Sequence, residues 1–178
     1  YCFIIGFNIG RINYWRRAAK CSAVKRFHVK SIEVIMSGIN DQLQLTGHLQ
    51  IHINDELVRD IDNLVVTAGK NFVASRIVGT SSGVMSHMAI GSGTTAAAAG
   101  NTALGSELGR VSLTSGTASS AVVTYVATFA AGTGTGAVTE AGLLNASSSG
   151  TMLARTVFSV VNKGANDSMT VTWTVTVS

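Results

Sequence analysis

Apolar and polar positions alternate from Leu43 to Ile53, with Leu43, Leu45, Leu49, Ile51 and Ile53 on one side and Gln44, Thr46, His48, Gln50 and His52 on the other. Successive side chains of a strand point to opposite faces, so this segment predicts a strand with one buried face. Asn54-Asp55-Glu56 predicts the turn and Leu57–Val66 the return, giving an N-terminal β-hairpin within residues 36–67. Thr67 is expected to cap a short helix over 68–78, where Phe72, Val73, Arg76 and Ile77 recur three to four apart. Val84–Ile90 predicts a further strand. Gly91–Gly109 has no period and predicts an extended loop with a helical turn near Leu104–Leu108. Arg110–Thr114, Ala121–Phe129, Ala137–Leu144, Thr151–Val160 and Ser168–Val177 then read as strands separated by Gly- or Ser-containing turns. The last alternates apolar and hydroxyl residues from Met169 to Ser178. The expected fold is mainly β: an antiparallel sandwich of jelly-roll or immunoglobulin-like type over residues 68–178.

Composition sharpens this picture. The chain has 178 residues, no proline and 19 glycines, so glycine, Asn, Asp and Ser must make the turns. Only 12% of residues are charged, about half the ~25% of ordinary soluble domains. With so little charge to keep copies apart, self-association is the expected state. The net charge of +4 is unevenly placed. Residues 1–35 carry seven Lys/Arg against one Glu (+6), whereas residues 36–178 carry six against eight (−2). The body therefore offers no electrostatic footprint for nucleic acid.

The basic segment is expected to be a separate extension, upstream read-through preceding a start at Met36. Its competing reading is a nucleic-acid arm, because Arg11, Arg16, Arg17, Lys20, Lys25, Arg26 and Lys30 are interleaved with Tyr14, Trp15 and Phe27. Contact with nucleic acid is expected only if these 35 residues are native. Cys2 and Cys21 both lie there and cannot staple the body. The apolar run Tyr1–Ile9 is shorter than the ~20 residues a membrane-spanning helix needs.

From Ile77 to Ser178 only six side chains are charged: Glu107, Arg110, Glu140, Arg155, Lys163 and Asp167. If Asn145–Gly150 is a loop and Leu144 faces Thr151, counting back places Glu140 directly opposite Arg155. An opposite-charge pair supports strand register by ~0.2–1 kcal/mol, and this one reads as a register pin rather than a catalytic dyad. His48 and His52 stand ~13 Å apart along one strand, too far for a single metal. His87 has no carboxylate near it in sequence and reads as a satisfied, half-buried imidazole. Gly91-Ser-Gly-Thr-Thr95 resembles a phosphate loop without the required lysine. Asn54–Glu56 and Asn162–Asp167 have too few carboxylates for calcium and read as Asx turns. Phe72, Tyr125, Phe129, Phe158 and Trp173 are the aromatic residues beyond Met36 and are expected in the core. No enzyme activity, metal or cofactor is expected.

Three stretches carry a resemblance. Asn63–Arg76, Met88–Leu104, and Gly136–Ala146 followed by Gly150–Phe158 resemble virion structural proteins of tailed bacteriophages. The likeness spans about residues 40–178 and implies a tail-fibre, collar, tip or capsid-decoration component. It implies localisation to the virion, with copies of itself, in trimers, and other virion proteins as partners and no membrane. The alternative is a tail module that binds a host-surface glycan or receptor.

Overall fold

The computed structural model describes residues 7–9, 12–14, 43–80 and 83–178. Its two compact units are Tyr1–Ile39 and Asn40–Ser178, so the division falls four residues beyond the expected 35/36 boundary. In the first unit, β1 (Phe7–Ile9) pairs antiparallel with β2 (Ile12–Tyr14). The readings placed on the basic segment, read-through or nucleic-acid arm, otherwise lie outside the described residues.

The second unit is mainly β, a curled antiparallel sheet of nine strands with one helix among the described residues. β3 (Leu45–Ile53) and β4 (Glu56–Val65) form the expected hairpin. Its turn is Asn54-Asp55 alone, both with positive φ (47° and 71°), the type I′ geometry that matches strand twist. Helix α1 (Thr67–Ile77) leads to β5 (His87–Gly91), β6 (Glu107–Ser112), β7 (Ser115–Ser119) and β8 (Val122–Phe129). β9 (Gly136–Leu144), β10 (Met152–Lys163) and β11 (Met169–Val177) complete the chain. The sheet order is β6-β5-β9-β10-β4-β3-β11-β8-β7. All nine strands are hydrogen-bonded in one sheet, where a sandwich of two sheets was expected. The hairpin is central to it, with β3 between β4 and β11, so it is part of the same sheet as the strands of residues 68–178.

The alternation on β11 has the predicted consequence. Met169, Val171, Trp173 and Val175 are buried, and the threonines between them lie on the outer face. They join Leu49, Ile51, Phe129, Val138, Leu143 and Phe158 in the main core. Of the five expected core aromatics, Phe129 and Trp173 are fully buried and Phe158 nearly so, whereas Phe72 and Tyr125 are half-buried at its margin. The Trp173 indole N–H donates to Asn63 Oδ1 (2.9 Å).

Three sequence expectations fail. Thr67 is not the N-cap: Val66 is, without a side-chain cap bond. The Val66 N–H is taken by the Leu153 carbonyl (3.1 Å) and the Thr67 N–H by that of Ala99 (2.8 Å), so tertiary bonds replace a capping hydroxyl. No helical turn forms at Leu104–Leu108; β6 begins there instead. Finally, β7 is a strand in a segment whose five residues are all exposed, so no buried face marked it.

Candidate functional site

The outer side of β9 and β10 is covered by the long loop between β5 and β6. Beneath it Val66, Ala89, Leu144 and Met152 make a second small core, with Ala68 and Leu104 packed against it. The charged centre of this region is Glu140 on β9 and Arg155 on β10, 0% and 2% exposed.

The register count predicted direct opposition, but the two are not directly opposite. Leu144 pairs with Met152 rather than Thr151, and an irregularity between Met152 and Ala154 shifts the ladder. Arg155 therefore faces Gly142, and Glu140 faces Val157. The pair forms on the diagonal, a separation a long side chain can cross. Arg155 donates to Glu140 Oε2 from Nε (3.0 Å) and Nη2 (2.7 Å). The Gly105 N–H donates to the same oxygen (2.9 Å). Oε1 accepts the N–H groups of Gly93 (2.9 Å) and Ser106 (2.7 Å).

The rest of the guanidinium is also occupied. Nη2 donates to the Thr95 carbonyl (3.0 Å), and Nη1 to Asn101 Oδ1 (2.9 Å) and the Ala96 carbonyl (3.4 Å). Thr139 Oγ1 donates to the Gly93 carbonyl (2.9 Å). The Gly91-Ser-Gly segment that resembles a phosphate loop does hold an anion, but the anion is the protein's own carboxylate. Gly93 permits this approach, since a Cβ there would strike Glu140 Oε1.

Burial alone pushes the Glu140 carboxyl up, yet the N–H groups of Gly105, Ser106 and Gly93 and the Arg155 guanidinium outweigh it and hold the group below its ordinary value. It stays ionised with every lone-pair direction engaged. It has no proton to exchange and no free oxygen to offer. The surface groove between β3 and α1, lined by Leu43, Leu45, Val73, Ala74 and Ile77, does not reach it, nor does the one between β4 and β10.

The other titratable groups are dispersed. On the exposed face of the β3–β4 hairpin, His48 pairs with Asp60 through Nε2 and with Asp62 through Nδ1 (3.1 Å). The Asp62 hydrogen bond leads in raising its pKa, against a smaller lowering by desolvation. From the sequence His48 was weighed as a metal ligand; the hairpin register that sets Asp62 opposite it could have identified the partner. His87 is half-buried between Ser86 Oγ (2.8 Å) and Ser112 Oγ (3.3 Å). Asn54 and Asp167, from the two loops considered for calcium, bind each other (2.9 Å). Arg110 pairs with Glu107 (2.7 Å) and holds the carbonyls of Ala146 and Ser149. Lys163, 1% exposed, donates to the carbonyls of Ala130 (3.0 Å) and Asp167 (2.7 Å). Among the described residues no three His, Cys, Asp or Glu side chains converge as a metal site.

The fold and this centre define an antiparallel β domain whose buried ion pair anchors a surface loop. No protein-family model matches the chain, and no curated protein and no solved structure matches it.

Proposed function

We propose that the chain is a non-enzymatic structural component of a tailed-phage particle. In this reading it self-associates on the virion surface as a tail-fibre, collar or tip subunit or as a capsid cement. The observation that carries the proposal is the use made of Glu140 and Arg155. These two buried charges pair with each other and give their remaining hydrogen bonds to fixing the loop Ser92–Ser106 to the sheet. That is the work of a part whose product is a fixed surface. Sparse charge and the exposed apolar side chains of Leu43, Ile77, Val78 and Val84 suit a molecule that works against neighbours. One core joins residues of β3, β8 and β11 to residues of β5, β9 and β10, which supports a jelly-roll-like packing of the curled sheet on itself as the finer description. The reading as a glycan- or receptor-binding module has less support, because Phe129, Phe158 and Trp173 are unavailable as stacking platforms.

Antibody labelling of purified particles in the electron microscope tests the proposal. Label on the head or tail is expected. Bare particles, with the protein left in the host lysate, would refute it.

A further inference from the structure

The sheet has two edges, and they differ. At β6, Glu107 and Arg110 pair on the strand, its ladder with β5 is irregular at Ile90/Gly91, and Gly109 lies hard against Gly134. Charge, irregularity and a covering loop are the devices that blunt an edge. At β7 none of these is present among the described residues. Ser115-Gly-Thr-Ala-Ser119 has no charge, no irregularity and five exposed residues. We propose that β7 is the self-association surface of this protein, pairing antiparallel with β7 of a second copy across a two-fold axis at Thr117. This rests on the self-associating-subunit reading above and names its contact.

The backbone alternation specifies the register. β8 turns the backbone groups of Val122, Thr124 and Val126 toward β7, because Ala121, of the opposite parity, accepts from the Val177 N–H of β11 (2.9 Å). Ser115, Thr117 and Ser119 face those three residues, so Gly116 and Ala118 turn their N–H and C=O groups outward. A two-fold at Thr117 sets Gly116 opposite Ala118 of the second copy and forms about four backbone hydrogen bonds. Thr117 meets its own copy at a close, non-hydrogen-bonded position.

A self-pairing strand places every central charge against its like, and this strand has none. With one open edge in the nine-stranded sheet, pairing through it closes at two copies instead of running on as a fibre. The outer-face row Thr117, Thr124, Thr174 and His48 would continue unbroken into the second copy. Five residues bury less than the ~1,200 Å² of a standard interface, so the dimer should dissociate within the micromolar range.

Sedimentation equilibrium of the full chain tests the inference with three variants. Thr117→Lys and Thr117→Glu each set like charges face to face and should weaken dimerisation roughly tenfold or more. Their equimolar mixture should restore it. Ala118→Pro removes an outward N–H while leaving the β8 ladder intact, and should weaken it similarly. Circular dichroism and thermal unfolding should match wild type, which separates lost pairing from lost folding. Variants that associate as wild type does, a mixture that fails to recover, or a three-fold assembly would each overturn the two-fold β7 contact while leaving the virion reading intact. A strictly monomeric wild type would overturn both this contact and the self-association in the proposed function. Absence from particles of a chain that still dimerises in this way would remove the virion reading alone.

Discussion

Glu140→Gln keeps the shape of the side chain and removes its charge. Arg155, 2% exposed, would then face an amide. The single remaining oxygen could serve the Gly93 and Ser106 N–H groups or the Gly105 N–H and guanidinium, but not both sets. Removing one partner of a buried ion pair costs about 3–5 kcal/mol, and each orphaned buried donor costs about 1–3 kcal/mol. A loss at or above the upper end of the first range is therefore expected. At about 2–4 °C per kcal/mol for a domain of this size, the midpoint should fall by about 10–20 °C. Arg155→Met should cost less, because Glu140 keeps its three backbone donors. Joint replacement by Leu and Met is often neutral for a buried pair. Here it should remain destabilising by about 3 kcal/mol or more, since Gly93, Gly105 and Ser106 lose their acceptor. Urea unfolding of the full chain, with limited proteolysis of residues 92–106, measures both effects. A Glu140→Gln protein within about 1 kcal/mol of wild type, or a double variant as stable as wild type, would refute the reasoning.

The first of the remaining predictions concerns the same carboxylate, and the others lie elsewhere in the fold. Acid should destabilise the protein through Glu140: its folded pKa lies below the ordinary 4.5, so its contribution is present above that value and lost as pH falls through the folded pKa. Glu140→Gln should flatten this limb of the stability profile; an unchanged limb would contradict the assignment. His48 has the opposite sign, with a folded pKa above 6.5, so its contribution is present below that value and lost as pH rises through the folded one. An imidazole NMR titration with a midpoint at or below 6.5 would contradict the Asp60–Asp62 pairing. Gly69→Ala would ordinarily favour a helix by about 1 kcal/mol, but its Cβ would run into the Leu153 carbonyl, so chemical denaturation should show a loss. A gain would mean α1 is free to move off β10. Trp173→Phe strands the Asn63 amide and opens a void, and should cost about 2–3 kcal/mol in the same assay; less than about 1 kcal/mol would show that the indole N–H bond is dispensable.

What could be read from the sequence follows burial. β3 and β11 have one buried face each, so their alternation located them and identified Trp173 as core. β7 has neither face buried, and its Ser-Gly-Thr-Ala-Ser text looked like a loop. The helix start was misplaced by one residue because its first N–H groups bind Leu153 and Ala99, partners distant in sequence. Glu140 and Arg155 stood out as opposite charges in an uncharged stretch, so their association was legible. Their direct opposition was not, because a ladder irregularity leaves no mark in the pattern. The cradle of Gly93, Gly105 and Ser106 was hidden more deeply. Backbone N–H groups carry no sequence signature, and only the glycines hinted at close approach.

The most direct test of the proposed virion role is quantitative mass spectrometry of tailed-phage particles purified from a culture that produces this protein. A fixed stoichiometry is expected, with hundreds of copies if the protein decorates the capsid and a few to a few dozen if it belongs to the tail. A protein that is made abundantly during infection but missing from the finished particle would contradict that role.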